Sequence, residues 1–591
     1  MADSYDFVIV GGGTAGLVVA SRLSEDPSKS VLVLEAGADL TADPRVNIPI
    51  FYAALLGSEA DWNFRTEPQG KLLGGSSALN SQVFVPPFKG VIDSWEAIGN
   101  PGWNWASLKA YLSKAYSSPA IAGDAKEALA IDGWPELNDA RGPIQTTFGD
   151  KTHPIRRTWD ETFRSSGQCN VGDPFIHSSV GAFSCLASID SEGKRSYSAS
   201  AYYKPFELRP NLHVLTNSYV EKIMLEKSDK SNSPKAVGVQ YRSEDTTRTA
   251  NVNKEVILAA GAFQSPKVLE LSGIGSKEIL QQHGVDVAID LPGVGQNLQD
   301  HPIVYTAFEA KSDLPTKDAL VRQEPEALGQ AMQEYTATQT GPLASLGVHT
   351  YAYLSLDEKD RAALKPLLAK HSPEKSQVRD AAQAYHEIAE TTILDPEQPT
   401  AAYLSALGQT NYVKNLNSET APVASPGKFV TLGIMLSQPL SRGSVHIASS
   451  NSGDSPIINP AYLSNPLDVE VMARHMLRVK PLAQLPPFRK LLKEPLKFRD
   501  PAADLEEDVE AGKKYARENL VSMWHFAGTC AMLPREQNGV VNSSLRVYGA
   551  EGLRVVDASA IPLISTANLQ ATVYAFAERA ADLIKEDWKN E

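Results

Sequence analysis

The first forty residues carry the pattern of a strand, a glycine-rich turn, a helix and a second strand. An apolar run over residues 5–10 leads into Gly11-Gly12-Gly13-Thr14-Ala15-Gly16. An amphipathic stretch to about Glu25 then precedes a second apolar strand over residues 30–34, which ends at Glu35. A Gly-x-Gly-x-x-Gly turn followed by an acidic residue roughly 20 positions on is typical of a βαβ unit that binds a dinucleotide. The chain is therefore predicted to begin with such a unit.

Each residue of this unit has its own physical task. Gly11 permits the tight turn, Gly13 lets the backbone approach a pyrophosphate, and Gly16 lets the helix pack on the strand. The helix N-terminus, with its free N–H groups and positive dipole end, attracts the phosphates. Glu35 can accept hydrogen bonds from ribose hydroxyls. The alternative, a glycine-rich turn in an ordinary α/β unit, leaves Glu35 without a role.

The composition is that of an ordinary globular protein, with 42% hydrophobic and 21% charged residues among 591. This length predicts several domain-sized units rather than one core. The net charge of −14 argues against nucleic acid and against an anionic membrane surface as partners. Three cysteines without Cys-x-x-Cys spacing predict neither a zinc site nor a disulfide framework, and they fit a reducing compartment.

Targeting signals are not evident in the sequence. The chain contains no run of about 18 apolar residues that could span a membrane. No basic segment precedes its first apolar run, so a signal peptide is not expected. We therefore expect a cytoplasmic protein without a membrane partner, and the sequence predicts no oligomeric state.

Later segments indicate that the chain returns twice to the sheet that it starts. Alternating strands over residues 212–225 and 236–241 and a buried strand over residues 255–262 form the first return. A strand over residues 553–557 and a terminal helix over residues 571–585 form the second. Residues 310–400 are richer in charge and in helical spacing, which indicates a separate substrate-side region. The predicted fold class is α/β, and α+β overall.

Four blocks of sequence resemble the glucose–methanol–choline (GMC) family of flavin oxidoreductases. They are the N-terminal βαβ unit, residues 70–80, residues 261–275 with 292–301, and residues 525–530 with 556–568. The second block reads Gly-Lys-Leu-Leu-Gly-Gly-Ser-Ser-Ala-Leu-Asn, and the third opens Gly-Ala-Phe-Gln-Ser-Pro-Lys-Val-Leu-Glu. The blocks span nearly the whole chain in family order. The resemblance covers residues 310–430 poorly, and in the family that region builds the substrate pocket.

The resemblance implies a Rossmann-like FAD-binding domain with interleaved segments, plus a substrate domain built on an antiparallel sheet with helices. Residues 1–40, 200–310 and 535–591 are predicted to form the FAD-binding domain. Residues 41–199 would supply flavin-covering segments and connections. Residues 311–534 would form the substrate-binding domain and carry the catalytic histidine.

The resemblance also implies FAD as the cofactor and carries a set of contact residues over to this chain. Residues 14–15 would meet the pyrophosphate, residue 35 the adenosine ribose, residue 220 the adenine, and residues 76–83 the flavin. Residues 557–558 would lie near the pyrophosphate and the ribityl chain, and residues 568–570 along the flavin edge. The implied FAD contacts are Gly11, Gly13, Thr14, Ala15, Gly16, Glu35, Ala36, Ser76, Asn80, Ser81, Val83, Val220, Trp524, Asp557, Ala558, Asn568, Leu569 and Gln570.

Three positions depart from the family pattern. Leu79 stands where members with a covalently tethered flavin carry histidine. Because leucine cannot form that bond, FAD is expected to be held non-covalently. Ser81-Gln82 stands where many members have Gly-Met, so the shape beside the flavin cannot be carried over, and Leu569 stands where proline is common.

Oxidation of an alcohol by a flavin needs a base for the hydroxyl proton and an acceptor for the hydride at flavin N5. His525 matches the family's catalytic base, and a neutral histidine suits that task near pH 7. Asn568 matches the second catalytic position, where an amide cannot act as a base but can hold the substrate oxygen. His301 is predicted to be structural, and His349 and Tyr351 fall in the predicted substrate region.

The predicted function is therefore the FAD-dependent oxidation of a primary or secondary alcohol to the carbonyl, by an oxidase or dehydrogenase acting on CH–OH donors. The expected partners are a small-molecule alcohol and O₂ or another electron acceptor. One alternative is a non-redox member of the family, of the lyase or photodecarboxylase type. Others are a tailoring oxidoreductase of secondary metabolism with an unusual substrate, and a non-catalytic flavin sensor. The substrate itself is not predicted.

Overall fold

The computed structural model describes residues 4–64, 70–121, 125–149, 154–170, 172–227, 233–345, 347–373, 380–410 and 424–589. Within these residues, helices pack on two large β-sheets, one of seven strands and one of six. The strands are β1 Ser4–Val10, β2 Val31–Leu34, β3 Val83–Phe84, β4 Tyr116–Ser117, β5 Ile144–Gln145, β6 Gly181–Ser184, β7 Leu186–Ala187, β8 Leu212–Leu215, β9 Tyr219–Lys227, β10 Pro234–Ser243, β11 Thr246–Leu258, β12 Ile274–Gly275, β13 Ile289–Asp290, β14 Pro302–Glu309, β15 Val348–Leu354, β16 Ala401–Leu407, β17 Phe429–Leu436, β18 Ser444–His446, β19 Ile457–Asn459, β20 Val521–Ser522 and β21 Leu553–Val555.

The α-helices of the described residues include long helices and single turns. They are α1 Thr14–Leu23, α2 Pro44–Asn47, α3 Ser76–Leu79, α4 Lys89–Ala97, α5 Trp105–Ala115, α6 Ala125–Ala128, α7 Ile155–Ser165, α8 Gly261–Leu271, α9 Lys277–Gln282, α10 Asp318–Val321, α11 Pro325–Thr338, α12 Glu358–Lys370, α13 Ala381–Leu394, α14 Pro466–Leu477, α15 Val479–Gln484, α16 Pro486–Arg489, α17 Val509–Asn519 and α18 Gln570–Asp587. None of these helices combines the length and the apolar composition needed to cross a lipid bilayer.

The seven-stranded sheet has the order β8-β2-β1-β11-β10-β9, with β21 paired to β11. Its centre is parallel, because β1 pairs in parallel with both β2 and β11. The apolar runs of β1 and β2 are buried throughout their central residues, as expected of a parallel sheet covered on both faces. Parallel pairing brings the carboxyl ends of β1, β2, β11 and β21 to one edge, and that edge positions the site.

The first helix differs from its predicted amphipathic pattern. Nearly all residues of α1 are buried, so it has no solvent-facing stripe. The reason is that α1 lies between the sheet and the long C-terminal helix α18, where Arg22 pairs with the fully buried Glu578 at 2.7 Å. The glycine motif predicted the helix, but only the distant α18 determines that both of its faces are covered.

The six-stranded sheet is antiparallel and has the order β20-β14-β17-β16-β15-β6. It matches the antiparallel sheet expected of the substrate side. Strand β14 lies before the domain boundary predicted at residue 310, and β6 lies in the stretch 41–199, yet both pair within this sheet. Both strands find their partners far away along the chain, so no local pattern marks them as members of it.

Candidate active site

A cavity of about 1040 Å³ lies between the two large sheets. One side is formed by the carboxyl ends of β1, β2 and β11 and by the turns that follow them. The other side includes residues of β14, β15 and β16. Ligands of open parallel sheets bind at the carboxyl ends of the strands, so this cavity is the candidate site.

The turn after β1 brings main-chain N–H groups to the cavity. Gly11 has a φ of +104°, and a Cβ there would lie 2.5 Å from the Ala259 carbonyl oxygen, so the turn requires glycine. Among the described residues, the nearest atom to a Cβ on Gly13, its chain neighbours aside, is the Cα of Gly75 at 3.7 Å. Helix α1 begins at this point without a side-chain cap. Its first N–H groups are therefore available to an anion in the cavity.

Glu35 follows β2 and is almost fully buried, at 7% exposure. Its Oε2 accepts from the Gly12 N–H and its Oε1 from the Gly37 N–H, both at 2.8 Å. Burial raises the pKa of Glu35 to about 7, against the opposing effect of these two hydrogen bonds. Each carboxylate oxygen keeps a second lone pair. Glu35 lines the cavity and can therefore accept from hydroxyl groups there.

The segment after α3 forms the cover of the cavity. The Asn80 amide donates to Gln570 Oε1 at 2.9 Å, and Asn80 Oδ1 accepts from the buried Arg195 guanidinium at 2.9 Å. Gln570 in turn donates to Ser188 Oγ at 3.0 Å. This network fixes the cover to the start of α18. Leu79 also lines the cavity.

The Asp557 carboxylate is occupied by contacts within the protein. Its Oδ2 accepts from the Gly261 N–H at 2.9 Å and from Ser265 Oγ at 2.6 Å. Its Oδ1 accepts from the Ser559 N–H at 2.7 Å. Asp557 lines the cavity, yet these contacts direct its side chain to the start of α8. The predicted contact of Asp557 with a pyrophosphate would therefore have to be made by its main chain.

The residues of this wall fit FAD. The uncapped N-terminus of α1 and the open space at Gly13 suit a pyrophosphate, because main-chain N–H groups can approach it closely. Glu35 suits a ribose. The polar cover around Asn80 and Gln570 offers hydrogen-bonding groups to a flat ring. A dinucleotide with a ring at its far end matches this sequence of groups along the cavity.

Two predicted catalytic groups meet at the other wall. Nε2 of His525 lies 3.1 Å from the Asn568 amide nitrogen, and both residues line the cavity. The His525 N–H donates to Asp300 Oδ1 at 2.7 Å, which holds the main chain at this point. Burial and the neighbouring His301 lower the pKa of His525 well below its usual value. The ring is therefore neutral at pH 7 and can accept a proton.

Tyr351 completes this group from β15. Its hydroxyl donates to Asn568 Oδ1 at 2.5 Å. His349, the other residue predicted for the substrate region, does not line the cavity. The register of β15 shifts between Val348 and Thr350, and such a bulge breaks the alternation of side chains.

His301 is the residue whose position the sequence least anticipated. It was predicted to be structural, and its Nδ1 lies 2.9 Å from Nδ1 of His525. Its neighbour Asp300 also accepts from Ser522 Oγ at 2.5 Å. The available signal was the proximity of Asp300-His301 to a glycine-rich family block, which says nothing about a contact with His525.

Trp524 lies at the rim of the cavity. It is 37% exposed and has a φ of +59°, and Leu328, which also lines the cavity, is 39% exposed. Its N–H donates to Ser522 Oγ at 2.8 Å. Because Trp524 is partly exposed and also lines the cavity, it lies where a small molecule could enter.

The predicted site residues come together with one exception. Gly16 does not line the cavity, and a Cβ there would be 2.0 Å from the Gly11 carbonyl oxygen. It serves the close packing of α1 on β1. The predicted residues that line the cavity are Gly11, Gly13, Thr14, Ala15, Glu35, Ala36, Ser76, Asn80, Ser81, Val83, Val220, Trp524, His525, Asp557, Ala558, Asn568, Leu569 and Gln570.

Family models of GMC oxidoreductases match most of the chain. The N-terminal model matches residues 5–303, and the C-terminal model matches residues 439–577. One relative is the GMC oxidoreductase family protein Mala s 12 of Malassezia sympodialis, 33% identical, with 98% of this chain and 92% of that protein covered. Another is the dehydrogenase mpl7 of Monascus purpureus, 33% identical, with 99% and 96% covered.

Solved structures resemble the whole chain. An FAD-dependent oxidoreductase from Chaetomium thermophilum has a TM-score of 0.86 at 28% identity, with 99% of this chain and 100% of that chain covered. A formate oxidase of Aspergillus oryzae RIB40 has a TM-score of 0.84 at 28% identity, with both chains covered completely. A fungal aryl-alcohol oxidase has a TM-score of 0.81 at 27% identity, also with complete coverage.

Proposed function

The chain belongs to the GMC oxidoreductase family, and we propose that it oxidises a primary or secondary alcohol to the carbonyl compound with FAD. Family membership and the FAD-dependent structural neighbours support the cofactor. The single observation that carries the alcohol as substrate is the pairing of His525 Nε2 with the Asn568 amide at the cavity. A neutral base beside a neutral hydrogen-bond donor suits a hydroxyl group.

The protein's own residues supply the proton chemistry. His525 Nε2 takes the hydroxyl proton, so the O–H bond breaks as an N–H bond forms. The Asn568 amide donates to the substrate oxygen and orients it, and Tyr351 holds that amide through its Oδ1. FAD, when bound, supplies the acceptor for the hydride that leaves the alcohol carbon.

The charge around this pair favours a neutral alcohol over an anionic donor such as formate. Asn568 and Tyr351 are both neutral. Among the described residues in hydrogen-bond contact with His525, the charged group is the carboxylate of Asp300. A negative group adjacent to the site disfavours an anion. We therefore do not propose formate as the substrate, although a formate oxidase is among the similar structures.

The substrate side of the cavity favours an alcohol with an apolar body. Its lining includes the apolar side chains of Ile50, Phe51, Leu320, Val321, Leu328, Leu343, Val348, Leu404 and Met523, beside fewer polar ones such as Lys317, Gln323, Gln409 and Thr410. Each sugar hydroxyl group that packs against an apolar side chain without a partner costs about 1–3 kcal/mol, and the apolar side chains outnumber the polar ones on this side. We therefore propose aromatic or long aliphatic alcohols rather than sugars.

An alcohol panel tests this proposal. Purified enzyme is assayed with benzylic, aliphatic and sugar alcohols, scored both by peroxide release and by reduction of an artificial dye. We expect turnover of apolar alcohols, and the two readouts assign O₂ or another acceptor. Failure of every alcohol to bleach the bound flavin anaerobically would overturn the proposal in favour of a non-redox reaction, of the lyase or photodecarboxylase type.

We further propose that FAD is held without a covalent bond at residue 79. The Leu79 side chain lines the cavity, and it has no atom that can attach to a flavin. Acid precipitation should therefore release all of the flavin into the supernatant. Flavin that stays with the pellet after washing would contradict this.

A further inference from the structure

His301 is a fully buried histidine that lies behind the base and outside the cavity lining. Its ring meets that of His525 edge to face, with an interplanar angle of 85°. The two Nδ1 atoms are 2.9 Å apart, and His301 Nε2 lies 3.1 Å from the Ser437 carbonyl oxygen. Both nitrogens of His301 are therefore engaged, one by His525 and one by the main chain.

These contacts determine which nitrogen carries each hydrogen. A carbonyl oxygen only accepts, so Nε2 of His301 must donate to Ser437. Burial lowers the pKa of His301 to about 4, against the smaller opposing effect of the Ser437 and Ser565 carbonyls, so its ring is neutral at pH 7. Nδ1 of a neutral ring protonated at Nε2 can only accept. His525 must therefore donate from its own Nδ1, which leaves its Nε2 unprotonated, and this nitrogen accepts from the Asn568 amide until a substrate hydroxyl replaces that contact.

We propose that His301 is a positioning residue that locks His525 in the Nδ1–H tautomer, so that Nε2 stays ready to accept the alcohol proton. The kinetic part of this inference rests on the proposed alcohol oxidation; the tautomer itself does not. After proton transfer, His525 carries hydrogens on both nitrogens. The Nδ1–H···Nδ1 bond to His301 then becomes charge-assisted and stabilises the cation.

Adjacent residues divide the work of holding the base. Asp300 accepts the main-chain N–H of His525, and its other oxygen accepts from Ser522 and Tyr462, so its carboxylate is used away from the His525 ring. Burial raises the pKa of Asp300 to about 6. Asp300 is the charged group in hydrogen-bond contact with this pair among the described residues. Contact with the Nδ1 side of the ring is thus left to His301, a neutral partner where a carboxylate could have served, while the Asn568 amide contacts Nε2.

Two substitutions of His301 separate orientation from packing. His301→Gln keeps an acceptor oxygen for the His525 Nδ1–H, whereas His301→Leu has a similar size and no acceptor. We expect His301→Leu to lower kcat/KM by roughly 100-fold, the lower end of what a positioned base contributes. His301→Gln should recover most of this loss. The matched control is His475→Gln, since His475 is also fully buried but lies outside the cavity lining.

The direct readout is the tautomer of His525 in the holoenzyme. Histidine-selective ¹⁵N labelling, with the His525 signals assigned by their loss in His525→Gln, distinguishes a protonated from an unprotonated ring nitrogen. We expect the Nδ1–H form in the wild type and in His301→Gln, and a mixed or Nε2–H form in His301→Leu. A merely structural role of His301 would change the melting temperature without moving this tautomer.

Two results would overturn the inference. One is an Nε2–H tautomer of His525 in the wild-type enzyme. The other is His301→Leu with the wild-type tautomer, whatever its kcat/KM. If the wild-type enzyme oxidises no alcohol at all, the proposed function fails, while the NMR measurement still decides the role of His301.

Discussion

The two walls of the cavity are built in opposite ways. The part of the cofactor wall around Gly11, Gly13 and Glu35 comes from one short stretch of chain and presents mainly backbone atoms and open space. The catalytic wall, around Tyr351, His525 and Asn568, joins side chains from distant segments through hydrogen bonds. We therefore expect the cofactor wall to lose its function when atoms are added to its backbone. The catalytic wall should lose its function when atoms are removed from its side chains.

The largest expected effect comes from removing the base in the catalytic wall. His525→Gln should lower kcat/KM by roughly 10²–10⁴-fold, because the hydroxyl proton loses its acceptor. The flavin content should stay at the wild-type level, since the cofactor wall is intact. Steady-state kinetics and the flavin-to-protein absorbance ratio measure both.

The matched variant is His386→Gln, which replaces a buried histidine of α13 outside the cavity lining. It should leave kcat/KM within about twofold of wild type. The wild-type enzyme should also keep its kcat/KM from neutral to acidic pH, because the base acts when unprotonated and its pKa is lowered. A His525→Gln enzyme with near wild-type activity would contradict the prediction that the catalytic wall depends on individual side chains.

In this part of the cofactor wall, Glu35 contributes a side chain rather than backbone. It therefore tests whether a side chain of this wall affects stability and FAD binding. Its pKa rises from 4.5 to about 7 in the folded protein, so the folded state retains this proton longer than the unfolded state. The stability of the flavin-free protein should therefore fall as pH rises from 4.5 to 7. The full cost, about 3 kcal/mol, is present above pH 7.

Glu35→Gln should consequently remove this fall in the stability of the flavin-free protein between pH 5 and pH 8. Its NH₂ group cannot accept an N–H as the second carboxylate oxygen does, so the lost hydrogen bond should cost about 1–3 kcal/mol at both pH values. FAD binding should weaken by about 10–100-fold, because a carboxylate accepts from ribose more strongly than an amide does. Thermal melts at both pH values and a flavin titration measure this. The control is Glu578→Gln, a buried carboxylate paired with Arg22 and Lys114, which should destabilise at both pH values. A fall in stability between pH 5 and pH 8 that is as large in Glu35→Gln as in the wild type would contradict the prediction.

Adding one methyl group to the cofactor wall tests the other half of the comparison. Gly13 has a φ of −87°, and an added Cβ would lie 3.7 Å from Gly75 Cα, so alanine fits the fold. The methyl group would occupy space next to the predicted pyrophosphate. Gly13→Ala should keep the melting temperature of the flavin-free protein and lower FAD affinity by about 10-fold, given a typical overpacking cost of about 1–3 kcal/mol.

The matched variant is Gly11→Ala, with the same added atom at a residue whose φ is +104° and whose Cβ would be 2.5 Å from a carbonyl oxygen. It should destabilise the flavin-free protein itself. Equal melting temperatures for Gly11→Ala and Gly13→Ala would contradict the prediction that a methyl group is tolerated at Gly13 but not at Gly11.

The same contrast explains what the sequence could predict. Glu35 is predicted as a ribose acceptor from a motif that lies within forty residues, and each glycine of that motif has a separate steric reason. The contact of Tyr351 with Asn568 joins positions 217 apart, and that of His301 with His525 joins positions 224 apart. No local periodicity encodes such a pair. The resemblance to a family located His525 and Asn568, while the residues that hold them depend on the register of β15 and on the path of the chain before β14.

The smallest expected effect is the loss of a single hydroxyl from the catalytic wall. Tyr351→Phe removes the hydrogen bond to Asn568 Oδ1 and leaves the ring in place. The Asn568 amide can then rotate away from the substrate oxygen. With a net contribution of about 0.5–1.5 kcal/mol per hydrogen bond, kcat/KM should fall by about 2–10-fold.

The comparison variant lies two residues along the same strand. The Tyr353 hydroxyl donates to the Pro86 carbonyl oxygen at 2.7 Å, outside the cavity lining. Tyr353→Phe should therefore lower the melting temperature about as much as Tyr351→Phe does, without changing kcat/KM. If both variants lose activity equally, the strand as a whole rather than the contact with Asn568 positions the catalytic wall. If only Tyr351→Phe loses activity, the catalytic wall depends on a single side-chain hydrogen bond, because both variants keep the aromatic ring.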